Sequence, residues 1–257
     1  IQFFSWFFSI IKLDFGISFA SGKMVKNEIL SRMPITLILN IVSMVLIFII
    51  SLYFGIKSAL NKNSLFDKFT AQLSLLSFAM PSFYLALLLV LIFAINFEIL
   101  PIAGLHGVAN DGSFNYYLDY AWHLVLPIFI IVFGGIGSLI LYIRSLTIEI
   151  LKSDYIFFAK ARGLTSKQIL RYYILPNLYP PVITLLGLSL PGIIGGSVIL
   201  ETIFSIDGMG LLFYQSALSH DYPVIMGILI IGAFLTLIGN MIADLVLLKL
   251  NPNYEEK

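Results

Sequence analysis

The sequence predicts an all-α polytopic membrane protein. Three observations carry that prediction. First, hydrophobic residues make up 59% of the 257-residue chain and charged residues 11%, with mean hydropathy +0.98. Soluble domains carry about 25% charged residues, so these few charges do not cover a water-facing surface. Second, five uncharged stretches reach the roughly 20 helical residues that cross a bilayer core: Pro34–Ile56, Phe69–Phe97, Leu124–Ile143, Tyr172–Leu200 and Tyr222–Ala243. Third, no run shows the short apolar/polar alternation of a β-barrel. Lipid supplies no hydrogen-bond partners, so these segments are expected to be helices.

Residues 1–33 precede the first stretch. Ile1–Ile11 is apolar and aromatic but too short to span. It reads as an interfacial helix, as the tail of a longer element, or as a helix packed on the other spans. The next segment, 34–250, is read as the transmembrane domain and 251–257 as a tail.

The loops set the orientation. Loop 57–68 carries Lys57, Lys62 and Lys68 against Asp67. Loop 144–171 carries Arg144, Lys152, Lys160, Arg162, Lys167 and Arg171 against Glu149 and Asp154. Loops 98–123 and 201–221 hold no Lys or Arg, only Glu98, Asp111, Asp119, Glu201, Asp207 and Asp221. The positive-inside rule makes the first pair cytoplasmic and the second external. Residues 1–33 then lie outside and the tail inside, although Lys12, Lys23, Lys26 and Arg32 run against the rule. An odd number of crossings with an external start implies a further helix before Ile1, as does the missing Met.

The most patterned segment is cytoplasmic, within 144–176. Ser153 or Asp154 is a helix N-cap candidate. Gly163 stands where that helix would end. Thr165 and Gln168 have capping-box spacing, and a second helix follows toward Pro176. Tyr155, Ile156, Phe157 and Phe158 mix with Lys160 and Arg162, a surface suited to a groove on a cytosolic partner. A solvated basic loop at the headgroups is the competing reading.

Small and ionisable residues complete the inventory. Gly134-Gly135-Ile136-Gly137 and Gly192-x3-Gly196 offer small faces for close helix approach. Pro81, Pro127 and Pro191 are kink candidates at membrane depth. Glu201 at an outer span end and Asp244 at an inner one are the ionisable residues nearest the membrane. For both, a structural ion pair or snorkelling competes with a role at a gate. The chain has no Cys, which excludes disulfides, thiolate catalysis and Cys-ligated metal. It has no Gly-x4-Gly-Lys-Ser/Thr loop, His-Glu-x-x-His or Gly-x-Ser-x-Gly, so neither nucleotide nor hydrolytic chemistry is expected of it. His106, His123 and His220 all fall on external loops.

The cytoplasmic segment resembles the signature of ABC-importer permeases, Glu-Ala-Ala-x3-Gly-x9-Ile-x-Leu-Pro. Ala159, Gly163, Leu175 and Pro176 match it, while Phe157, Phe158 and Tyr173 depart from it. Asp154-Tyr155 and Ala159-Lys160-Ala161-Arg162-Gly163-Leu164 are closer to the peptide/nickel branch. Leu13-Asp14-Phe15-Gly16-Ile17-Ser18, Met33-Pro34-Ile35-Thr36-Leu37, Met80-Pro81-Ser82-Phe83, Leu100-Pro101, Gly195-Gly196 with Glu201-Thr202-Ile203-Phe204, Asp221-Tyr222-Pro223-Val224 and Asn251-Pro252 resemble that branch in order. Asp207 stands where the branch usually has Pro.

The resemblance implies a type I permease fold, normally with six helices, the first lying before Ile1. It implies half of a translocation pathway for peptides in the cell inner membrane, with a nickel or metal-chelate importer as the alternative. It assigns ATPase coupling to Asp154, Tyr155, Phe158, Ala159, Lys160, Ala161, Arg162, Gly163, Leu164, Gln168 and Pro176. The candidates for channel and gate are Pro81, Pro191, Gly195, Gly196 and Glu201. The chain itself would be no enzyme and hold no metal or cofactor, ATP and Mg being bound by a partner ATPase subunit. Expected partners are a homologous second permease, cytosolic ATP-binding subunits, an external solute-binding protein and the lipid bilayer, with no nucleic acid. If the solute were nickel, the three His offer transient ligands. A secondary transporter acting alone would want midplane ion sites and inverted repeats, and a membrane scaffold would give the cytoplasmic loop another partner.

Overall fold

The computed structural model of the chain describes residues 10, 14–107 and 114–250, excepting the side chains at 190, 191, 193–195, 243, 247 and 250. Most of segment 1–11 and the tail 251–257 therefore lie outside the described residues. Among the described residues there is no β-strand, only one antiparallel bridge between Ile17 and Met24.

Helix α1 (Val25–Leu60) begins nine residues before the stretch predicted from Pro34 and runs through that proline. The extra turns are held by burial: Val25 and Ile29 join a core cluster with Met209, Leu212, Val224 and Ile228, and Met33 packs against it. Helix α4 (Phe114–Leu151) likewise outruns its predicted span and continues through Pro127. At about 1.5 Å per residue, helices of 36 and 38 residues exceed a hydrocarbon core of about 30 Å, so their ends reach beyond it. Helix α10 (Tyr222–Leu250) closes the chain.

The stretch 69–97 is not one helix. Helix α2 (Leu65–Ala79) ends at Met80, which is extended at φ −83° and ψ 119°, as a residue before proline prefers. Helix α3 (Ser82–Leu89) follows Pro81 and passes into a π-helical segment Val90–Asn96. Among the described residues three helices are thus long and apolar enough to span, and a fourth crossing is reached by taking the bent α2–α3 pair as one. Five spans were expected, with Pro81 a kink candidate inside the second, and the break falls there. Hydrophobicity continues across Met80–Pro81 while helical geometry does not.

After α4 come α5 (Asp154–Ala161), α6 (Ser166–Ile169) and a π-helical segment Leu170–Ile174. Helix α7 (Leu175–Gly195) ends at Gly196, whose φ of +65° favours glycine. The predicted stretch to Leu200 therefore stops early, and the short helices α8 (Val198–Ile203) and α9 (Met209–Leu218) lie beyond.

The chain divides into two units. One comprises Ile1–Val42, Ser82–Phe129 and Leu190–Gly239, the other Ser43–Pro81, Ile130–Ser189 and Asn240–Lys257. In the second unit α1, α2 and α4 approach closely. A Cβ on Gly137 would stand 2.5 Å from the Ser74 carbonyl oxygen and 3.0 Å from the Phe78 nitrogen. The nearest atom to a Cβ on Gly135 would be Cδ1 of Ile47, also at 2.5 Å, whereas Gly134 would meet nothing within 4 Å. Two of the three glycines predicted for close approach therefore serve it here.

The same unit is tied by Asp67, a buried residue in the first turn of α2. Its carboxylate accepts from Arg144 Nε at 2.6 Å and Nη2 at 2.8 Å, from the Asn63 N–H at 2.9 Å, and from the Ser58 hydroxyl. Arg144, assigned to a loop by charge counting, rides inside α4.

Two predictions follow from these packings. Gly137→Ala should destabilise by about 1–3 kcal/mol, because backbone must move. Gly135→Ala should cost less, since a flexible isoleucine tip yields. Gly134→Ala should be neutral or gain up to about 1 kcal/mol of helix propensity. Thermal unfolding in detergent ranks the three, and equal losses at Gly134 and Gly137 would contradict the packing described. Separately, Asp67→Asn should cost about 3–5 kcal/mol, the range for breaking a buried pair. A double-mutant cycle with Arg144→Gln should return clear coupling, and additive losses would show that the pair is not energetically joined.

Candidate coupling site

Eleven residues assigned to coupling from the sequence fall in one unit of the chain. Helix α5 opens at Ser153, whose backbone has N-cap geometry but whose hydroxyl donates back to the Ile150 carbonyl at 2.5 Å instead of capping an N–H. At its other end the Gly163 N–H donates to Lys160 O at 2.9 Å and the Leu164 N–H to Ala159 O at 3.2 Å. These two bonds form a Schellman closure, and Gly163 takes the left-handed φ of +80° that it requires. Thr165 then caps α6. Its N–H donates to Gln168 Oε1 at 2.8 Å, and its Oγ1 accepts from the Gln168 N–H at 3.4 Å, the reciprocal capping box expected from their spacing.

The helix pair has an inner and an outer face. Ile156 and Ala159 are buried with Ile169, Ile174 and Leu178, and Ile56, Leu146 and Ile150 pack against that cluster. Tyr155 stacks on Tyr173 with centroids 6.2 Å apart. Outside, Phe157 is 69% exposed and Phe158 61% exposed, with Asp154, Lys160, Ala161 and Arg162 also exposed. Pro176 does not end the second helix. The π-helical turn just before it, in which the Leu175 N–H reaches back to Leu170 O, leads into α7 across the proline.

The gate candidates separate. Pro81 sits at the α2–α3 break. Pro191 and Gly195 belong to the last turns of α7, and their surroundings lie outside the described side chains. Gly196 and Glu201 come together in the first unit. Glu201, only 2% exposed, accepts from the Thr36 hydroxyl at 3.2 Å and the Leu211 N–H at 3.0 Å. Thr36 Oγ1 in turn accepts from the Met209 N–H at 2.8 Å. A Cβ at Gly196, Gly208 or Gly210 would press on this carboxylate. Burial pushes the Glu201 carboxyl up from its ordinary value, partly offset by these donors. Glu201 is thus a buried, hydrogen-bonded clamp on the turn that starts α9, and it forms no ion pair among the described residues. Asp244 is exposed and has no ion-pair partner among the described residues.

Sequence reasoning missed three partners. Asp221, at the start of α10, accepts from the Ser18 hydroxyl at 2.5 Å and the Phe19 and Ala20 N–H groups at 3.1 and 3.2 Å. Burial opposes its charge, but these donors prevail and hold the carboxyl below its ordinary value. Arg32 pairs with Glu28 and with Asp207, the latter at 2.6 Å, so one of the four cations that opposed the charge rule is neutralised locally. Thr36 was read only as part of a motif. An acid immediately before a long apolar run was the one local signal, and it marked Asp221 as a helix cap.

A family model for "Binding-protein-dependent transport system inner membrane component" matches residues 47–256. The chain is 36% identical to the oligopeptide transport system permease protein AppB of Bacillus subtilis, over 99% of this chain and 80% of that protein. It is 34% identical to the oligopeptide transport system permease protein OppB of Haemophilus influenzae, over 98% and 79%. It is 29% identical to the metal-staphylopine import system permease protein CntB of Staphylococcus aureus, over 100% and 78%. In fold it is similar to a chain of the inward-facing MetNI methionine ABC transporter, with TM-score 0.63 at 17% identity, over 84% of this chain and 93% of that one. The chain therefore belongs to the inner membrane components of binding-protein-dependent transport systems, the permease subunits of ABC importers.

Proposed function

We propose that this permease forms half of a peptide pathway across the cell inner membrane and is driven by a separate ATPase subunit that grips the α5–α6 pair. The observation that carries the reading is the two-faced construction of that pair. Its inner face is rooted in the core shared with α4 and α7, and its outer face presents exposed aromatics beside two cations. Exposed aromatic side chains at a rigid site are the usual anchors of a protein–protein contact. The basic loops 57–68 and 144–171 face the cytosol in this reading, where nucleotide is available.

Coupling falls to the segment carrying Asp154, Tyr155, Phe158, Ala159, Lys160, Ala161, Arg162, Gly163, Leu164, Gln168 and Pro176. Tyr155, Phe158, Lys160 and Arg162 make contact. Ala159 and Leu164 root the pair, while Gly163, Gln168 and Pro176 set its shape. ATP and Mg belong to the partner, and a second permease and an external solute-binding protein complete the assembly. Peptide is favoured as solute because the relatives at 34–36% identity are named for oligopeptide transport. A metal-chelate solute is the second reading, favoured by the metal-staphylopine relative at 29%. Glu201 and Gly196 act by fixing the outer turn from within, with Thr36 as their partner.

The experiment is reconstitution of the complete transporter in lipid. Phe157→Ala with Phe158→Ala should leave permease stability within about 0.5 kcal/mol, as for other exposed substitutions. Retention of the ATPase subunit should fall roughly 30-fold, the equivalent of about 2 kcal/mol. Gly163→Ala, strained by about 1–2 kcal/mol at positive φ, should keep the subunit bound but lower solute-stimulated ATP hydrolysis. Full retention and full stimulation in both variants would remove the assignment. Transport of labelled peptides against metal chelates separates the two solutes.

A further inference from the structure

A second feature lies beside the α5–α6 pair, the handle proposed above, and shares only Tyr155 with its contact face. The end of α4, the start of α5 and the start of α7 enclose a cleft of about 300 Å³ lined by Leu146, Glu149, Ile150, Ser153, Tyr155 and Asn177. The Asn177 amide nitrogen gives one N–H to the Tyr173 carbonyl at 2.6 Å, and its amide oxygen can accept from an incoming donor. The Ser153 hydroxyl proton is spent on Ile150 O, which leaves its lone pairs. No Lys or Arg lines the cleft.

Glu149 is the telling member. It stands in the last turn of α4, where the partial negative charge of the helix end disfavours a carboxylate. Among the described residues it forms no ion pair, although Lys152, Lys160, Arg162, Lys167 and Arg171 share its loop. Glu149 is exposed, so its carboxylate is open to water and to a partner. An external cation would gain from the carboxylate, from the helix end and from the Tyr155 ring at once. Leu146 and Ile150 supply apolar contact for an aliphatic stem. A planar guanidinium, with five donors and an affinity for aromatic faces, fits this set better than a compact ammonium.

We propose that the cleft receives one arginine side chain from the ATP-hydrolysing partner, with Glu149 as its principal acceptor. The inference rests on the coupling reading above and adds a charged socket to the aromatic contact. The socket would fix the rotational register of the handle, whereas Phe157 and Phe158 supply adhesion.

The test uses the full transporter in lipid nanodiscs, with Glu149→Gln and Glu149→Lys compared with wild type and with the Phe157→Ala, Phe158→Ala variant. Glu149→Gln should release the ATPase subunit about tenfold faster, since loss of one member of an interfacial charge pair acts mainly on dissociation. Its release should also depend less on salt, and Glu149→Asp should recover part of the retention. Glu149→Lys should lose more than Glu149→Gln. Normal release from both Glu149→Gln and Glu149→Lys, with fast release from the phenylalanine variant, would overturn the socket and keep the coupling reading. Normal release from all of them would overturn both. A drop in the melting temperature of the permease alone, equal to the drop in the complex, would place the role of Glu149 inside this chain or at the lipid and also overturn the socket.

Discussion

In a chain that is 59% hydrophobic, a carboxylate drawn into the interior needs partners there, because lipid offers none. Three buried carboxylates show how this constraint shapes the protein. Asp67 lies in the first turn of α2, Glu201 sits within the six-residue α8 and accepts from the start of α9, and Asp221 immediately precedes α10. Each meets backbone N–H groups near a helix start, where donors are unspent and the macrodipole favours negative charge. Apolar burial makes the long helices, and these carboxylates define how the connections between helices are drawn in. The glycines at 196, 208 and 210 follow from the same constraint, since a side chain at any of them would displace the Glu201 carboxylate.

What the sequence made legible is what is local. The Gly163 closure and the Thr165–Gln168 box depend on residues three to five apart; the first stands at the predicted helix end and the second has its predicted partners. The Arg144–Asp67 pair joins residues 77 apart, and Thr36–Glu201 joins residues 165 apart. No spacing rule reaches such distances, so the charges appeared only as loop totals. Proline was ambiguous for a related reason. Pro81 breaks its helix, while α1 and α4 continue through Pro34 and Pro127. Around Pro34 the decision is made by burial of Val25, Ile29 and Met33, which holds the upstream turns helical. That is a tertiary effect which local propensity does not contain.

The glycines of α4 teach the same distinction. Gly134, Gly135 and Gly137 form one small-residue run in the sequence, yet only the latter two face a neighbour closely in this chain. Gly192 likewise meets nothing within 4 Å, while Gly196, grouped with it by spacing, serves a turn at positive φ. A small residue at helical spacing permits close approach without requiring it. Where backbone atoms are the neighbours, as Ser74 and Phe78 are for Gly137, the requirement becomes strict.

The relative size of two effects bears on the coupling role proposed for the α5–α6 handle. Burying Ile156, Ile169, Ile174 and Leu178 contributes about 1.5–3 kcal/mol each, so roughly 6–12 kcal/mol together as an upper figure. The capping box and the left-handed glycine contribute only about 1–2 kcal/mol apiece. Attachment of the handle to α4 and α7 therefore rests on its apolar root, while its angle and outline rest on Gly163 and Thr165. A pull on the outer aromatics meets the larger energy before it can detach the pair. The helices rooted in the same cluster must then move with it. A handle fixed mainly by its caps would instead unwind under load and transmit little.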